Sequence, residues 1–190
     1  MQFRAGPRDG RKVLIAERAI DGDLVPRLQA ALAQHQPVDE IWLRSPGGNA
    51  RVGNQAGMLI RKLGIPTRIP AGWACFSACN FLFMGGPIRI VEPNGQFIVH
   101  MFTHTGDRAL VKEEVKKGEQ STISLIGEIE QGSAMLASED NDFLIRMGVS
   151  RKLLSDVMYQ QKAVETEGED RSTRRCLTTE ELKRYNVVNL

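Results

Sequence analysis

A buried strand, a glycine-containing turn and an amphipathic helix follow one another between residues 41 and 64, and this succession limits the folds open to the chain. The apolar run Ile41-Trp42-Leu43 is typical of a buried strand. The turn Ser45-Pro46-Gly47-Gly48 comes next, and apolar residues then recur on one face of a helix that ends at Gly64, namely Val52, Ala56, Leu59, Ile60 and Leu63. A strand that leads into a helix is the repeating unit of largely parallel sheets, so the pattern predicts an α/β fold.

The rest of the chain continues this alternation. Further strands are predicted at 12–16, 66–71, 88–91 and 96–102, and helices at 25–32, 77–84 and, as one long helix that projects or packs on a partner, 119–146. The charged segment 165–175 is interpreted as a mobile loop, and Thr178-Thr179-Glu180-Glu181 as a capping box that opens a last helix. Because 190 residues with 42% hydrophobic content suffice for one core, we expect a single domain, 1–190.

Composition argues against several classes of protein. Lys and Arg number 25 against 23 Asp and Glu, and they are scattered, so no nucleic-acid partner is expected. No apolar run reaches the roughly 18 residues of a membrane span. Without a leader the chain is expected to be cytoplasmic, or periplasmic if a leader has been removed. Cys75 and Cys79 are expected to be buried thiols rather than a disulfide, which fits a reducing compartment, and neither a metal nor a cofactor is expected.

Two further segments suggest hydrolytic chemistry. The motif Gly72-Trp73-Ala74-Cys75-Phe76-Ser77-Ala78-Cys79 places a serine where an extended segment turns into a helix, and His100 ends a strand. A serine nucleophile needs a base, and the paired glycines of the earlier turn would let backbone amides approach a developing oxyanion. Taken singly, Ser77 is a helix cap, and His100 is a core histidine or forms a weak metal pair with His104. Their order along the chain predicts a serine hydrolase.

The order of these motifs resembles that of the proteolytic subunit of the Clp protease and, more closely, of its divergent stand-alone bacterial relatives. The similarity covers residues 11–103 well and 145–190 more loosely, and it includes Gly72-x-x-Cys75-x-Ser77-Ala78-Cys79 and Asn94-Gly95-x-x-x-x-His100. It implies a ClpP/crotonase-like superhelix of ββα units in which 119–146 is a protruding handle helix that joins subunits. It also implies an oligomeric serine peptidase acting on peptides or unfolded polypeptide segments. The chain has no ATP-binding motif, so an unfolding ATPase would be a separate partner.

The resemblance also implies roles for individual residues. Ser77 would be the nucleophile, His100 the general base, and the backbone amides of Gly47, Gly48 and Ala78 the oxyanion hole. The nearest counterpart of the third triad residue is Asp156. The alternatives are Asp170, Asp142 and Asp140.

Two other functions stay open. A signal-peptide-peptidase-like enzyme would use a serine and a lysine, for which Lys112, Lys116 and Lys117 are candidates. An inactive assembly module of the same fold would use the long helix alone. An acyl-CoA enzyme of the crotonase type is disfavoured, because those sites usually carry acidic residues where this chain has a serine and a histidine.

Overall fold

The computed structural model describes residues 1–101, 107–164 and 173–190. Its strands are β1 (Gln2–Arg8), β2 (Arg11–Glu17), β3 (Glu40–Arg44), β4 (Thr67–Ile69), β5 (Ala74–Phe76), β6 (Arg89–Val91), β7 (Gln96–His100) and β8 (Arg174–Cys176). Its helices are α1 (Leu24–Gln34), α2 (Ala50–Leu63), α3 (Cys79–Gly85), α4 (Arg108–Lys117), α5 (Glu119–Met147) and α6 (Thr179–Arg184). A π-helical turn, Leu153–Val157, and a 3₁₀ turn, Met158–Gln160, follow α5.

The strands form two sheets. The larger has the order β1-β2-β3-β4-β6, in which β1 is an antiparallel edge strand and the other four run parallel. The smaller has the order β5-β7-β8, with β5 parallel and β8 antiparallel to β7. The predicted mixed α/β fold with a largely parallel sheet is therefore confirmed.

The two faces of the larger sheet are packed unequally. Leu14 and its partner Ile41 face the main core, which contains most of the buried apolar residues. Their neighbours Ile15 and Trp42 point to the opposite face, as side chains in a strand alternate, and form a small cluster with Val13 and Trp73. Both faces are thus at least partly covered, which explains the nearly continuous apolar runs of these strands.

Helices α2 and α3 pack with their backbones in close contact. A Cβ atom at Gly57 would lie 2.3 Å from the carbonyl oxygen of Phe81, and one at Gly53 would lie 2.7 Å from that of Ala78. Only glycine allows this approach. Since α2 follows the Ser-Pro-Gly-Gly turn and α3 follows Ser77, the contact fixes these two segments relative to each other.

Two arginines hold the C-terminal end of α5. Arg61 and the fully buried Arg89 both donate hydrogen bonds to the carbonyl oxygen of Met147, at 3.2 Å and 3.4 Å. Burial lowers the pKa of Arg89 to about 10, so the side chain stays charged at neutral pH and complements the partial negative charge of the helix end. The buried residues of α5 all lie in this half of the helix: Leu136, Asp140, Phe143, Leu144 and Met147.

The structure differs from the sequence-based expectations at several elements. Strands β1, β5 and β8 were not predicted, and α3 begins at Cys79 rather than at Ser77. Arg174 and Arg175 belong to β8 and not to the predicted loop 165–175, of which residues 165–172 lie outside the described part of the chain. Of the described helices, none is long and apolar enough to cross a membrane.

Candidate active site

Ser77 and His100 meet at the carboxyl ends of two neighbouring parallel strands. Ser77 directly follows β5, His100 is the last residue of β7, and Phe76 is paired with Ile98. The side chains point toward each other, and Nε2 of His100 lies 2.7 Å from Oγ of Ser77. This is the distance that transfer of the hydroxyl proton to the imidazole requires.

The backbone of Ser77 is held in a conformation that side-chain-bearing residues rarely adopt. Its φ of 58° lies in the left-handed region. The Ser77 N–H donates to the carbonyl oxygen of Ile98 at 3.2 Å, and the Ser77 carbonyl accepts from the N–H of Asn80 at 2.9 Å. A sharp turn of this kind between a strand and a helix lifts the serine side chain away from the backbone, as the nucleophile turn of α/β-hydrolases does.

A disulfide bond joins Cys75 to Cys79 on either side of Ser77. The expectation of two separate buried thiols was wrong. It placed both residues in one helical turn, whereas Cys75 belongs to β5 and Cys79 begins α3. The turn at Ser77 brings their Cα atoms within 5.3 Å of each other, a distance that a disulfide spans. The cysteines therefore no longer argue for a reducing compartment. Cys176 is a free thiol on the surface.

The environment of His100 keeps its imidazole neutral at neutral pH. Burial lowers the pKa of His100 below the ordinary value of 6.5, and a hydrogen bond with the backbone of Met101 raises it by less. Because this bond favours the protonated ring, Met101 acts as the acceptor and the imidazole as the donor. A ring that donates through one nitrogen presents the other, Nε2, as the acceptor for the Ser77 hydroxyl.

The Ser-Pro-Gly-Gly turn lies directly against the serine. Gly47 has a φ of 87°, and a Cβ atom there would lie 2.7 Å from Cβ of Ser77. The Gly47 N–H already donates to Oγ of Ser45 at 3.1 Å. The N–H groups of Gly48 and Ala78 take no part in the hydrogen bonds found outside regular helices and strands in the described residues. Ala78 follows Ser77 directly, and Gly48 follows Gly47, which packs against Ser77.

A narrow cavity opens next to Ser77 and His100. It measures about 40 Å³, taken as the space open to the centre of a water-sized sphere. Its walls come from α3, α5, β7 and the turns that follow α5, and they are apolar except for the serine, the histidine, Asn80 and Asp140. The apolar lining residues are Ala50, Ala78, Phe81, Met84, Phe97, Val99, Leu136, Leu144, Leu153, Leu154 and Met158.

Asp140 is the acidic residue of this cavity. It is 6% exposed, and its Oδ1 atom has no hydrogen-bond partner among the described residues. Burial raises the pKa of Asp140 to about 7, and the negative charge of Glu139 adds to the effect. Sequence reasoning considered Asp140 only as a third triad residue. Its helical spacing of four from both Leu136 and Leu144 is the signal that puts it on the buried face of α5.

The structure does not bring Asp156 to His100. The Asp156 side chain is exposed, and its Oδ1 accepts a hydrogen bond from Ser155 Oγ at 2.9 Å. Asp142 is also exposed, while Asp170 and His104 lie outside the described residues. On β8 the residue paired with His100 is Arg174.

Asp140 does not take that place either, because its Oδ1 atom has no hydrogen-bond partner among the described residues and no hydrogen bond found there joins it to His100. In the described part of the chain, the role of the third triad residue falls to the backbone of Met101, which is hydrogen-bonded to the His100 ring on the side away from Ser77. A backbone acceptor can fix the ring orientation in the same way as a carboxylate, although without its charge.

The three lysines considered as alternative bases do not contact Ser77. Lys112, Lys116 and Lys117 are exposed residues of α4. The Nζ atom of Lys117 forms an ion pair with Glu114 at 2.6 Å, and this contact raises the pKa of Lys117. A lysine base needs the opposite shift.

Comparison with family models and with curated proteins gives no match. Solved structures with a similar fold include a mutant of ClpP1 from Listeria monocytogenes, with 15% sequence identity and a TM-score of 0.59 over 93% of this chain and 88% of that one. Another is a mutant of the 1510-N membrane-bound stomatin-specific protease, with 13% identity and a TM-score of 0.53 over 92% of this chain and 75% of that one. The chain therefore has the fold of the ClpP-like proteins, as the resemblance implied.

Proposed function

We propose that the protein is a serine peptidase that hydrolyses peptide bonds of peptides or unfolded polypeptide segments. The observation that carries this proposal is the 2.7 Å contact between Ser77 Oγ and His100 Nε2 beside the available amides of Gly48 and Ala78. A nucleophile, a neutral base and two amide donors at one point are the parts that acyl transfer needs.

In this mechanism His100 takes the hydroxyl proton as Ser77 Oγ attacks the carbonyl carbon of the scissile bond. The carbonyl oxygen gains negative charge, which the N–H groups of Gly48 and Ala78 stabilise. Gly47 is not counted as a donor, because its own N–H is bound to Ser45 Oγ. Its role is to let the turn lie close to Ser77. His100 then gives the proton to the leaving amine, and a water molecule activated by the same imidazole hydrolyses the acyl-enzyme.

The proposed catalytic residues are Ser77 and His100, with Met101 as the acceptor that orients the imidazole through its backbone. Asp156 is not included, because its side chain is exposed and bonded to Ser155. Loss of the charged third residue can cost several orders of magnitude in rate. We therefore expect a slow enzyme rather than an inactive one.

The proposal includes self-association through α4 and the N-terminal half of α5. This half of α5 has no buried residue, and large apolar side chains of both helices are exposed: Leu110, Val111, Val115, Ile123, Ile126 and Met135. An exposed apolar surface of this kind is typical of a contact between subunits.

A fluorophosphonate probe tests the proposal directly. It should label the wild-type protein on Ser77, and Ser77→Ala should abolish both labelling and peptide hydrolysis. Ser121→Ala is a suitable control, since Ser121 is a hydroxyl-bearing residue of α5 that is bonded to Glu114 and lies outside the cavity. Labelling that persists in Ser77→Ala would contradict the assignment of Ser77 as the nucleophile. A wild-type protein that is folded and remains unlabelled would contradict the proposal and leave the assembly module as the function.

A further inference from the structure

The cavity beside Ser77 contains two buried hydrogen-bond acceptors that nothing in the described chain satisfies. They are Oδ1 of Asp140 and Oδ1 of Asn80, which is 4% exposed. The described chain leaves three buried side-chain polar atoms without a partner, and two of them line this one cavity. Unsatisfied buried acceptors are rare in folded proteins, so two in one cavity call for an explanation.

The orientation of the Asn80 amide is fixed by its second hydrogen bond. Its Nδ2 donates to the carbonyl oxygen of Ile98 at 2.7 Å, so Nδ2 and Oδ1 cannot exchange places without bringing two acceptors together. Ile98 also accepts the Ser77 N–H. The Asn80 side chain and the Ser77 backbone are thus both hydrogen-bonded to the carbonyl oxygen of Ile98 on β7.

The remaining lining of the cavity is apolar. Leu136 and Leu144 flank Asp140 on α5, and Met84, Leu153 and Leu154 complete the nearby wall. A ligand that matches these walls has an aliphatic body and a terminal group rich in donors. The lysine side chain has this composition, with four methylene groups and an ammonium group that donates three hydrogen bonds.

The cavity is small. Its open space of about 40 Å³ admits only a few water molecules. Aromatic rings and the planar guanidinium of arginine are wider than a methylene chain. An apolar cavity with two unsatisfied acceptors among its lining residues therefore suits an aliphatic side chain that ends in a donor group, such as lysine, better than phenylalanine.

We infer that this cavity is the specificity pocket for the residue on the acyl side of the scissile bond, and that Asp140 and Asn80 select lysine at that position. The inference rests on the proposed peptidase function, because the side chain of an acylating residue must lie next to the nucleophile. Asp140 would pair with the ammonium group, and the Asn80 carbonyl would accept a further hydrogen bond from it. Asp140 is thus a specificity-determining residue rather than a member of the triad.

Paired substrates test the inference. Fluorogenic peptides that differ only in lysine, norleucine or N-acetyllysine before the scissile bond separate the charge from the length of the side chain. At pH 8.5, above the pKa of Asp140, we expect kcat/KM for lysine to exceed that for norleucine by at least tenfold. Asp140→Asn should reduce this ratio at least tenfold, because kcat/KM for the lysine peptide depends on the carboxylate and that for the norleucine peptide does not.

Asp142→Asn is the matched control, because it removes an exposed carboxylate two residues away on the same helix. It should leave the ratio unchanged. A wild-type protein that hydrolyses the norleucine peptide as well as the lysine peptide would overturn the inference and leave the peptidase function intact. The inference would also be overturned if the ratio of kcat/KM for lysine to that for norleucine were the same in Asp140→Asn and in the wild type.

A binding experiment distinguishes failure of the inference from failure of the proposed function. Butylammonium chloride imitates the free end of lysine, and it should raise the melting temperature of the wild type and of Asp142→Asn but not of Asp140→Asn. The uncharged analogue 1-butanol should not discriminate between them. If Ser77 proves unreactive while butylammonium still discriminates, the cation site stands and the peptidase proposal fails. Equal effects of butylammonium on all three proteins would overturn the cation site itself.

Discussion

Gly47 and Ser77 are packed so closely that a single added methyl group would not fit between them. A Cβ atom at Gly47 would lie 2.7 Å from Cβ of Ser77 and 2.6 Å from the carbonyl oxygen of Phe76. The neighbouring atoms are mostly backbone, so they cannot move aside cheaply. The contact couples the turn that carries the Gly48 amide to the turn that carries the nucleophile.

We therefore predict that Gly47→Ala lowers kcat/KM at least 100-fold, since the displaced turn would carry the Gly48 amide away from the oxyanion. Loss of one such donor typically costs two to three orders of magnitude, about 100-fold or more. The control is Gly10→Ala, because Gly10 also has a positive φ but nothing lies within 4 Å of a Cβ there. If both variants retain equal activity, the close contact does not matter for catalysis.

The pH dependence should reflect a histidine base with a lowered pKa. Since His100 must be neutral to accept the proton and its pKa lies below 6.5, kcat/KM for the norleucine peptide, which does not use the Asp140 charge, should rise with pH and reach half its plateau below pH 6.5. His100→Gln should be nearly inactive at every pH. A half-maximal rate above pH 8, with a large loss in Lys117→Met, would instead support a lysine base.

Asp140 should make the protein less stable as the pH rises. Its pKa is about 7 in the folded state and near the ordinary 3.8 in the unfolded state, so the folded protein binds more protons between these values. Stability then falls from about pH 4 to pH 7, by a few kcal/mol, and stays low above that range.

Asp140→Asn should remove this loss, so that its gain in melting temperature over the wild type is small at pH 4 and largest above pH 7. The charged and titratable groups around Asp140 are Glu139, which pairs with Arg51, Tyr159, whose pKa is raised by burial and by the charge of Asp140, and His100, which lines the same cavity. Burial also shifts the pKa of His100, and because Asp140→Asn leaves His100 unchanged, the comparison with this variant isolates the contribution of Asp140. A gain that does not depend on pH would contradict the prediction.

The disulfide should stabilise the turn that presents Ser77. Closing a loop of so few residues contributes about 2 kcal/mol in the chain-entropy model. We expect the double variant Cys75→Ala/Cys79→Ala to lose about this much in urea unfolding and to lose activity, because the left-handed conformation of Ser77 is then less constrained. Cys176→Ala, which removes the free surface thiol, should change neither quantity. Full activity of the double variant would show that the hydrogen bonds alone hold the turn.

Self-association should depend on the exposed face of α5. Ile126 is 50% exposed and Ile129 is half-buried. Replacing both with aspartate should dissociate the assembly in sedimentation velocity and lower the activity, because the same helix carries Asp140 and Leu136 into the cavity. The control Glu128→Gln changes an exposed residue of the same segment and should do neither. A wild-type protein that is monomeric and fully active at micromolar concentration would contradict the prediction.

Elements with a clear apolar period were predictable from the sequence. The predicted strands at 12–16 and 41–44 correspond to β2 and β3, and the predicted helix 119–146 corresponds to α5. The elements that were missed lack that signal. Strand β8 is three exposed residues that pair with β7 alone, and β1 is a partly exposed edge strand that contains Gly6 and Pro7.

Residue type and spacing are local properties, so they were enough to predict that a serine, a histidine and a glycine turn follow strands in an order typical of a hydrolase. Which side chains meet depends on the tertiary structure. The disulfide depends on the sharp turn at Ser77, and the cavity position of Asp140 depends on how α5 is anchored at Met147. Arg174 lies opposite His100 because of the register between β7 and β8. Turn angle, helix packing and strand register join residues far apart in the chain, and no local pattern specifies them.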